Sequence, residues 1–468
     1  MNAPRLLAGP LAHGDPVFGR GIAELQAAMA AGSLSAVELV RAYLARIAAY
    51  DQAGPALNAV LALNPQALDE AGQRDAARQR GAALGPLHGI PLLLKDNIDV
   101  AGMPATAGSL ALAQRRPQRD AEVVRRLRAA GAVVLGKTTL HELACGITNV
   151  SSLSGRTRNA YDAARVPGGS SGGSAVAAAS CYAAAAIGTD TSGSIRIPAA
   201  FNQVWGLRPT AGRHDNAGVV PLSPTLDTVG PLARSHADLS ALWSAMSDPD
   251  EQDDARRADQ GWRIGALDAF FGRADAEQEE VSRHVRMALA GWQSGGAHVQ
   301  PVALDLEDTR LTAANVTGYE FRDALAACLR DAGLPVRSLG DILDGGYAHP
   351  EVAPLLRERD ALRDADGTAR LAVLARARAL RDEILASMER DRLDLLAYPS
   401  VRGAPVLLGE PQRGGNGLLA AVTGLPALSV PMGFTASGIP VGLELLGPAG
   451  SERLLLQAAR RFDARGRG

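Results

Sequence analysis

The chain has 468 residues, 47% of them hydrophobic and 21% charged, a composition typical of a globular protein with a sizeable core. Its formal net charge is −2 and its aromatic content is 4%, which argues against nucleic-acid and membrane-surface partners. Three widely spaced cysteines indicate reduced thiols rather than a disulfide framework. Residues 1–21 contain no sustained apolar stretch, so no signal peptide is expected. These features predict a cytoplasmic protein.

The first half of the chain alternates predicted helices with short apolar strands. Ser35 and Glu38 form a capping box that begins the first clear helix. Further helices are predicted at residues 65–80, 121–130 and 174–179, and strands at residues 90–95, 132–135, 183–187 and 204–207. Alternation of this kind is typical of an α/β layer with a buried, mixed sheet.

The second half is more charged and more helical, and residues 360–390 have the composition of a solvated amphipathic helix. Strand character returns near the end, at residues 393–398, 425–434 and 441–446. We therefore predict a single domain over residues 1–468, whose sheet receives strands from both the N-terminal and the C-terminal part of the chain. Its catalytic core would comprise residues of about 60–240 and 393–468, and residues of about 248–392 would form a helical substrate cap.

Ser170 lies in a glycine-rich segment, residues 168–174, that matches the nucleophile-elbow pattern G-x-S-x-G. An elbow directly follows an apolar strand, whereas residues 159–167 are polar and end in a proline, so the elbow interpretation is weak. The alternative is a flexible turn that caps the helix at Ser174. The segment alone is compatible with a catalytic or a structural serine.

Two other pattern matches are rejected. Residues 131–138 satisfy the phosphate-loop pattern, but their variable positions are Ala-Val-Val-Leu, a strand whose amides are committed to a sheet. His141 and Glu142 resemble the start of a zinc-protease motif, yet Cys145 stands where the second histidine is required. We therefore expect no bound nucleotide and no metal. His141 is interpreted as a helix or pocket-wall residue and Cys145 as a buried thiol.

Ser194 follows a predicted strand and precedes a predicted helix, within residues 188–196. Free backbone N–H groups at such a helix start can point at an oxygen that becomes negatively charged. An ordinary N-cap serine is the equally acceptable structural interpretation.

Lys95 directly follows the apolar residues 90–94. A lysine can act as a base only when neutral, and its ordinary pKa is about 10.4, so burial must lower that value strongly. Burial of the Lys95 side chain at the end of this apolar strand would lower its pKa in the required direction. The alternative is a structural lysine that remains charged because it pairs with Asp96 or Asp99.

These three segments, together with residues 206–210, 226–231 and 423–431, resemble the amidase signature family over nearly the whole chain. The family's catalytic triad is Ser-cis-Ser-Lys. The resemblance implies a single α/β/α sandwich around a large, mixed, mostly buried sheet. It also implies an amidase, a serine hydrolase that forms an acyl-enzyme and requires no cofactor. The resemblance also allows a homodimer, because amidases of this type are often dimers.

The resemblance further implies a role for each site residue. Ser194 would be the nucleophile, Ser170 the bridging serine held by a cis peptide bond, and Lys95 the base. The remaining expected site residues are the oxyanion-hole amides and the residues that support them: Thr191, Ser192, Gly193 and Ser194, then Asp190, Arg196 and Ser171.

Residues 141–149 and 220–228 are most similar to the indoleacetamide and mandelamide hydrolases, which implies a small primary amide of an aryl or alkyl carboxylic acid as substrate. Ser192 stands where glycine is usual, and Asn202 and Gln203 where small or apolar residues are common. These departures affect which substrate is expected more than they affect the expected catalytic mechanism. Two alternatives remain: a glutamine-amidase subunit of a tRNA-dependent amidotransferase, which needs a partner chain, and a non-catalytic protein that retains the fold.

Overall fold

The computed structural model describes residues 4–12, 14–248, 261–364 and 366–463. Parts of the predicted cap, residues 249–260 and 365, and parts of the N-terminal segment, residues 1–3 and 13, lie outside the described residues. Within the described part, no helix is long and apolar enough to cross a membrane.

The centre of the molecule is a mixed sheet of 11 strands. The described residues form these strands in all, of which β4 and β5 lie outside the central sheet: β1 (Val60–Leu63), β2 (Pro91–Lys95), β3 (Val133–Thr138), β4 (Val150–Ser151), β5 (Gly155–Arg156), β6 (Ala185–Asp190), β7 (Trp205–Arg208), β8 (Thr228–Ala233), β9 (Arg263–Leu267), β10 (His298–Val302), β11 (Leu395–Pro399), β12 (Ala427–Phe434) and β13 (Pro440–Leu446). The central sheet has the order β1-β3-β2-β6-β8-β7-β12-β13-β11-β9-β10, while β4 and β5 form a separate hairpin.

Pairing within the central sheet is parallel in two places and antiparallel elsewhere. The strands β3, β2 and β6 are parallel neighbours, as are β11, β9 and β10. Each strand from β6 through β8, β7, β12 and β13 to β11 is antiparallel to the next. Every residue of β2, β3, β6, β7, β8 and β11 is buried, as expected for a sheet covered on both faces.

Helices cover this sheet, and the structure is the mixed α/β fold that the sequence predicts. They are α1 (Ile22–Ala30), α2 (Ala36–Tyr50), α3 (Ala67–Gln79), α4 (Glu122–Ala129), α5 (Gly172–Ala179), α6 (Arg196–Phe201), α7 (His236–Met246), α8 (Ala276–Ser294), α9 (Asp308–Ala313), α10 (Thr317–Asp331), α11 (Leu339–Asp344), α12 (Ala353–Ala361), α13 (Thr368–Arg390), α14 (Leu418–Thr423) and α15 (Glu452–Asp463). The capping box predicted at Ser35 is present, with Ser35 Oγ accepting from the Glu38 amide.

Strand β3 is longer than predicted, because it continues through Lys137 to Thr138. The sheet tolerates this fully buried lysine because its ammonium group has partners. Lys137 Nζ lies 3.3 Å from Asp96 Oδ1 and donates to the carbonyls of Ile98 and Pro104 at 2.6 and 2.9 Å. A buried charge with an ion pair and hydrogen bonds avoids most of the cost of desolvation.

The predicted cap differs from the observed structure in two ways. Strands β9 and β10 fall inside residues 248–392 but extend the central sheet, so this region is not purely helical. The helix predicted at residues 360–390 is divided, because α12 ends at Ala361 and α13 begins after Gly367, which has a φ of 74°. Positive φ favours glycine. The Asp364 carboxylate accepts from the amides of Ala369 and Arg370 and so caps the new helix.

A second apolar cluster joins helices α10, α11 and α12 to the segment that follows β3. Its buried residues are Ala107, Ala111, Leu112, Leu143, Ala144, Cys145, Val150, Val220, Leu222, Phe321, Leu325, Leu329, Val336, Leu339, Ile342, Val352 and Leu356. This cluster places the three helices against the loops at the carboxyl end of the parallel strands, where the candidate site lies.

Candidate active site

Lys95 and Asp190 are the last residues of two neighbouring strands, β2 and β6. Because these strands are parallel, their carboxyl ends meet at one edge of the sheet. Two loops reach the same edge: Ser170 lies just before α5, and Ser194 just before α6. The Ser171 amide donates to the Ser194 carbonyl at 3.0 Å and so joins the two loops. The fold therefore brings Lys95, Ser170 and Ser194 together.

The ammonium group of Lys95 is fully buried and contacts only hydroxyl and carbonyl oxygens. Its Nζ lies 2.7 Å from Ser170 Oγ, 2.7 Å from Thr189 Oγ1 and 3.3 Å from the Thr189 carbonyl. Among the described residues no carboxylate forms an ion pair with Lys95. The structural pairing considered for this lysine is therefore wrong, since Asp96 pairs with Lys137 instead.

Burial lowers the pKa of Lys95 from 10.5 to about 7. Desolvation is the dominant cause, because removing the ammonium group from water disfavours its charged form. The charges of Asp190 and Asp227 act in the opposite direction but do not overcome it. A large fraction of this lysine is therefore neutral near neutral pH, which is the state a general base requires.

The first testable prediction concerns pH. If neutral Lys95 is the base, kcat/KM should rise with pH and level off above about 7, because deprotonation creates the active form. Well below that pH the rate should fall about tenfold per pH unit. The measurement is a pH profile of amide hydrolysis, with circular dichroism at each pH to show that the protein stays folded. A flat profile between about pH 5 and 7 would contradict the role of Lys95.

Ser170 follows the one non-proline cis peptide bond of the described chain, Gly169–Ser170, as the resemblance implies. The His141 amide donates to its carbonyl at 3.1 Å. Ser171 supports the segment from the other side: its hydroxyl donates to the Thr189 carbonyl at 3.0 Å and accepts from the Thr189 amide at 3.3 Å. In the described structure, Ser170 Oγ is hydrogen-bonded to Lys95 but not to Ser194 Oγ. Such catalytic hydrogen bonds often form only when substrate binds.

The loop before α6 is organised by the carboxylate of Asp190. Its Oδ1 accepts from the Gly193 amide at 2.8 Å, and its Oδ2 accepts from the Ile195 amide at 3.0 Å. Gly193 was predicted to be an oxyanion donor, and this prediction is wrong because Asp190 already holds its N–H. The amides of Thr191, Ser192 and Ser194 hydrogen-bond to no protein acceptor in the described part of the chain. They remain the predicted oxyanion donors.

Asp190 is also the centre of a fully buried ionic cluster. Arg196 Nη2 and Arg208 Nη1 lie 3.1 and 3.0 Å from Asp190 Oδ1. Arg196 also pairs with Glu444, whose carboxylate accepts a hydrogen bond from Tyr398 at 2.9 Å. Burial opposes ionisation of Asp190, but the two guanidinium groups outweigh it and hold the pKa well below its usual range. The predicted supporting roles of Asp190 and Arg196 agree with these contacts.

Three residues of the site were not predicted. Thr189 supplies the second hydroxyl to Lys95, and it also accepts from Asn97 Nδ2 at 3.0 Å. Arg208 and Glu444 complete the ionic cluster. Glu444 is a single acidic residue inside the apolar strand β13, and that break in the pattern was the available signal.

His141 is buried and contacts Ser170 through its amide, while Cys145 is buried in the apolar cluster of helices α10–α12. Burial lowers the pKa of His141 to about 3, so the imidazole is neutral, and burial raises the pKa of Cys145 to about 11, so the thiol is protonated. Neither state suits a proton-transferring histidine or a thiolate nucleophile. No group of three metal-ligating side chains occurs among the described residues.

The site places a fully buried lysine 2.7 Å from a serine hydroxyl, beside a loop whose backbone amides include, within the described chain, free donors. The family model described as Amidase matches residues 38–456. The chain therefore belongs to the amidase family, whose members are serine amidohydrolases that act on carbon–nitrogen amide bonds.

Solved structures and curated relatives point to two kinds of amidase. A native peptide amidase from Stenotrophomonas maltophilia is 41% identical, with 97% of this chain and 98% of that chain covered and a TM-score of 0.88. A glutamyl-tRNA(Gln) amidotransferase subunit from Thermus thermophilus is 36% identical, covering 94% of this chain and 96% of the relative. The same subunit from Ralstonia nicotianae is 35% identical over equal shares. These curated relatives favour the amidotransferase-subunit hypothesis over a small-amide hydrolase.

Proposed function

We propose that this protein is an amidohydrolase that releases ammonia from an unsubstituted carboxamide through an acyl-enzyme on Ser194. The observation that carries the proposal is the 2.7 Å contact between Ser170 Oγ and buried Lys95, whose pKa desolvation lowers to about 7. A lysine in that state can take a proton from a serine hydroxyl, and a histidine is then unnecessary.

In the proposed mechanism Ser194 Oγ attacks the amide carbonyl while its proton passes to Ser170, whose own proton passes to Lys95. The carbonyl oxygen becomes negative and accepts hydrogen bonds from the amides of Thr191, Ser192 and Ser194. The proton then returns through Ser170 to the nitrogen, and ammonia leaves. Water attacks the acyl-Ser194 ester by the same route and releases the carboxylic acid.

As substrate class we propose peptides that end in a carboxamide. The support is the similarity to the peptide amidase, which extends over 97% of this chain at 41% identity. Helices α10–α12 and their apolar cluster pack beside the site and would contribute to the acyl-side pocket. The aryl-amide substrates implied by residues 141–149 and 220–228 fall in the same chemical class, because they are also primary amides.

A second candidate is a glutamine-amidase subunit that works with partner chains, and one contact favours it besides the curated relatives. Arg359 Nη1 lies 3.0 Å from Cys145 Sγ, and its guanidinium stacks on Phe321 at 5.2 Å. No described carboxylate forms an ion pair with this half-buried cation. An unpaired guanidinium beside the site suits a substrate that carries a carboxylate, as free glutamine does.

The second testable prediction separates the two candidates. The purified chain alone should release ammonia from an N-acetylated dipeptide amide, and little from free glutamine. The measurement is coupled detection of ammonia, with the corresponding dipeptide acid as the control substrate and Ser194→Ala as the control enzyme. If glutamine were the only substrate that released ammonia, and only after partner subunits were added, the second candidate would replace the first. Retained turnover in Ser194→Ala would overturn both.

A further inference from the structure

Asp227 connects the loop before α6, residues 191–195 and here called the oxyanion loop, to a neighbouring loop, residues 222–227. Its Oδ1 accepts from Thr191 Oγ1 at 2.5 Å, and its Oδ2 accepts from the amides of Leu222 and Ser223 at 2.9 and 3.0 Å. The carboxylate is almost fully buried, and no described cation forms an ion pair with it. Thr191 is the first residue of the oxyanion loop, so one side chain fixes the starting point of that loop.

Glu320, on helix α10, holds the middle of loop 222–227. Its carboxylate accepts from Ser223 Oγ at 2.6 Å, from Thr225 Oγ1 at 2.5 Å and from the Thr225 amide at 3.1 Å. Arg370, on helix α13, donates to the same carboxylate at 2.6 and 3.0 Å. The contacts thus run without a break from two helices of the cap, through loop 222–227, to Thr191.

Both carboxylates are buried: Asp227 is 6% exposed and Glu320 is 7% exposed. Each of the two carboxylates accepts at least three hydrogen bonds in a setting with little water, and charge-assisted bonds of this kind are short and strong. Backbone donors aimed at a developing oxyanion lose their effect when displaced by a fraction of an ångström. The side-chain hydroxyl of Thr191 is the part of that residue that Asp227 can hold, while its amide remains free for substrate.

We propose that Asp227 and Glu320 are positioning residues for amide hydrolysis, and that through Thr191 they make the oxyanion geometry depend on the packing of helices α10 and α13. This inference rests on the proposed function, since it concerns the same oxyanion site. It assigns to the cap a role in the chemical step as well as in enclosing the substrate.

The third testable prediction uses matched substitutions. Thr191→Val removes only the hydroxyl and should lower kcat by about ten- to a hundredfold with little change in KM, because the lost interaction matters in the transition state. Thr191→Ser keeps the hydroxyl and, as the conservative variant, should recover most of the kcat that Thr191→Val loses. Glu320→Gln should also lower kcat by about tenfold or more. Its control is Glu383→Gln, since Glu383 lies on helix α13 with Arg370 and forms a partly exposed ion pair with Arg310.

Two readouts keep this inference separate from the proposed function. The first is kcat and KM on whichever amide the wild type hydrolyses, and the second is the rate of fluorophosphonate labelling at Ser194, followed by intact mass. If the wild type hydrolyses no amide, the proposed function fails, but the labelling rates still decide the inference. Equal rates for Thr191→Val and Thr191→Ser would overturn it. The inference would also be overturned if Glu320→Gln and Glu383→Gln lowered kcat and the labelling rate equally. The same holds if the loss in Glu320→Gln were fully explained by a lower melting temperature.

Discussion

Replacing Ser194 with alanine is expected to abolish amide hydrolysis, and replacing Lys95 with methionine should reduce it by at least about a thousandfold, because members of a catalytic unit fail together. Fluorophosphonate should add one adduct to the wild type and none to Ser194→Ala. Labelling of Lys95→Met should be slowed to a similar degree as turnover, since Ser194 would have lost its route for the proton. Intact-mass analysis over time measures all three proteins.

A second buried lysine provides the control for Lys95→Met. Lys137 lies on the adjacent strand and is equally buried, but it pairs with Asp96. Lys137→Met should leave Asp96 as an uncompensated buried charge and destabilise the fold by about 3–5 kcal/mol, while the folded fraction keeps its catalytic rate. Lys95→Met should show the opposite pattern, with a normal melting temperature and activity lowered by at least about a thousandfold. If both variants lost stability and activity equally, Lys95 would be a structural residue.

The sequence singles out the three residues proposed for catalysis as candidates, whereas their roles follow only from the family resemblance. An apolar strand that ends in lysine indicates a buried amine, and a strand that leads into glycines and serines indicates free amides. The structure adds the distances, and these decide between alternatives that the sequence left open. Lys95 contacts Ser170 and Thr189, and Asp96 is taken by Lys137.

The errors came from interactions between residues distant in the sequence, or from two groups that compete for one partner. The amide of Gly193 looked as free as its neighbours, but the carboxylate three residues earlier reaches back to hold it. Glu444 lies 248 residues from its partner Arg196 along the chain. Strands β9 and β10 are short and only half apolar, so their place at the end of the sheet depends on pairing with each other and with β11. A single sequence carries little information on such pairing.

Asp190→Asn is expected to be the most destabilising substitution at the site. It would leave the guanidinium groups of Arg196 and Arg208 buried with one negative charge fewer, and it would weaken two backbone hydrogen bonds in the oxyanion loop. Removing one partner from a buried ionic cluster costs about 3–5 kcal/mol. Urea denaturation would measure this loss as a lower midpoint with an unchanged slope.

The matched control is Asp162→Asn, the same chemical change in an exposed pair with Arg165 at 3.2 Å. It should change the free energy of unfolding by less than about 0.5 kcal/mol, because water screens the pair. The comparison also tests why a charge lies under the oxyanion loop. Asparagine could still accept one hydrogen bond, so a large loss in Asp190→Asn would show that the ionic interaction holds the loop. A loss as small as that of Asp162→Asn would mean that Asp190 acts through shape and hydrogen bonding rather than through its charge.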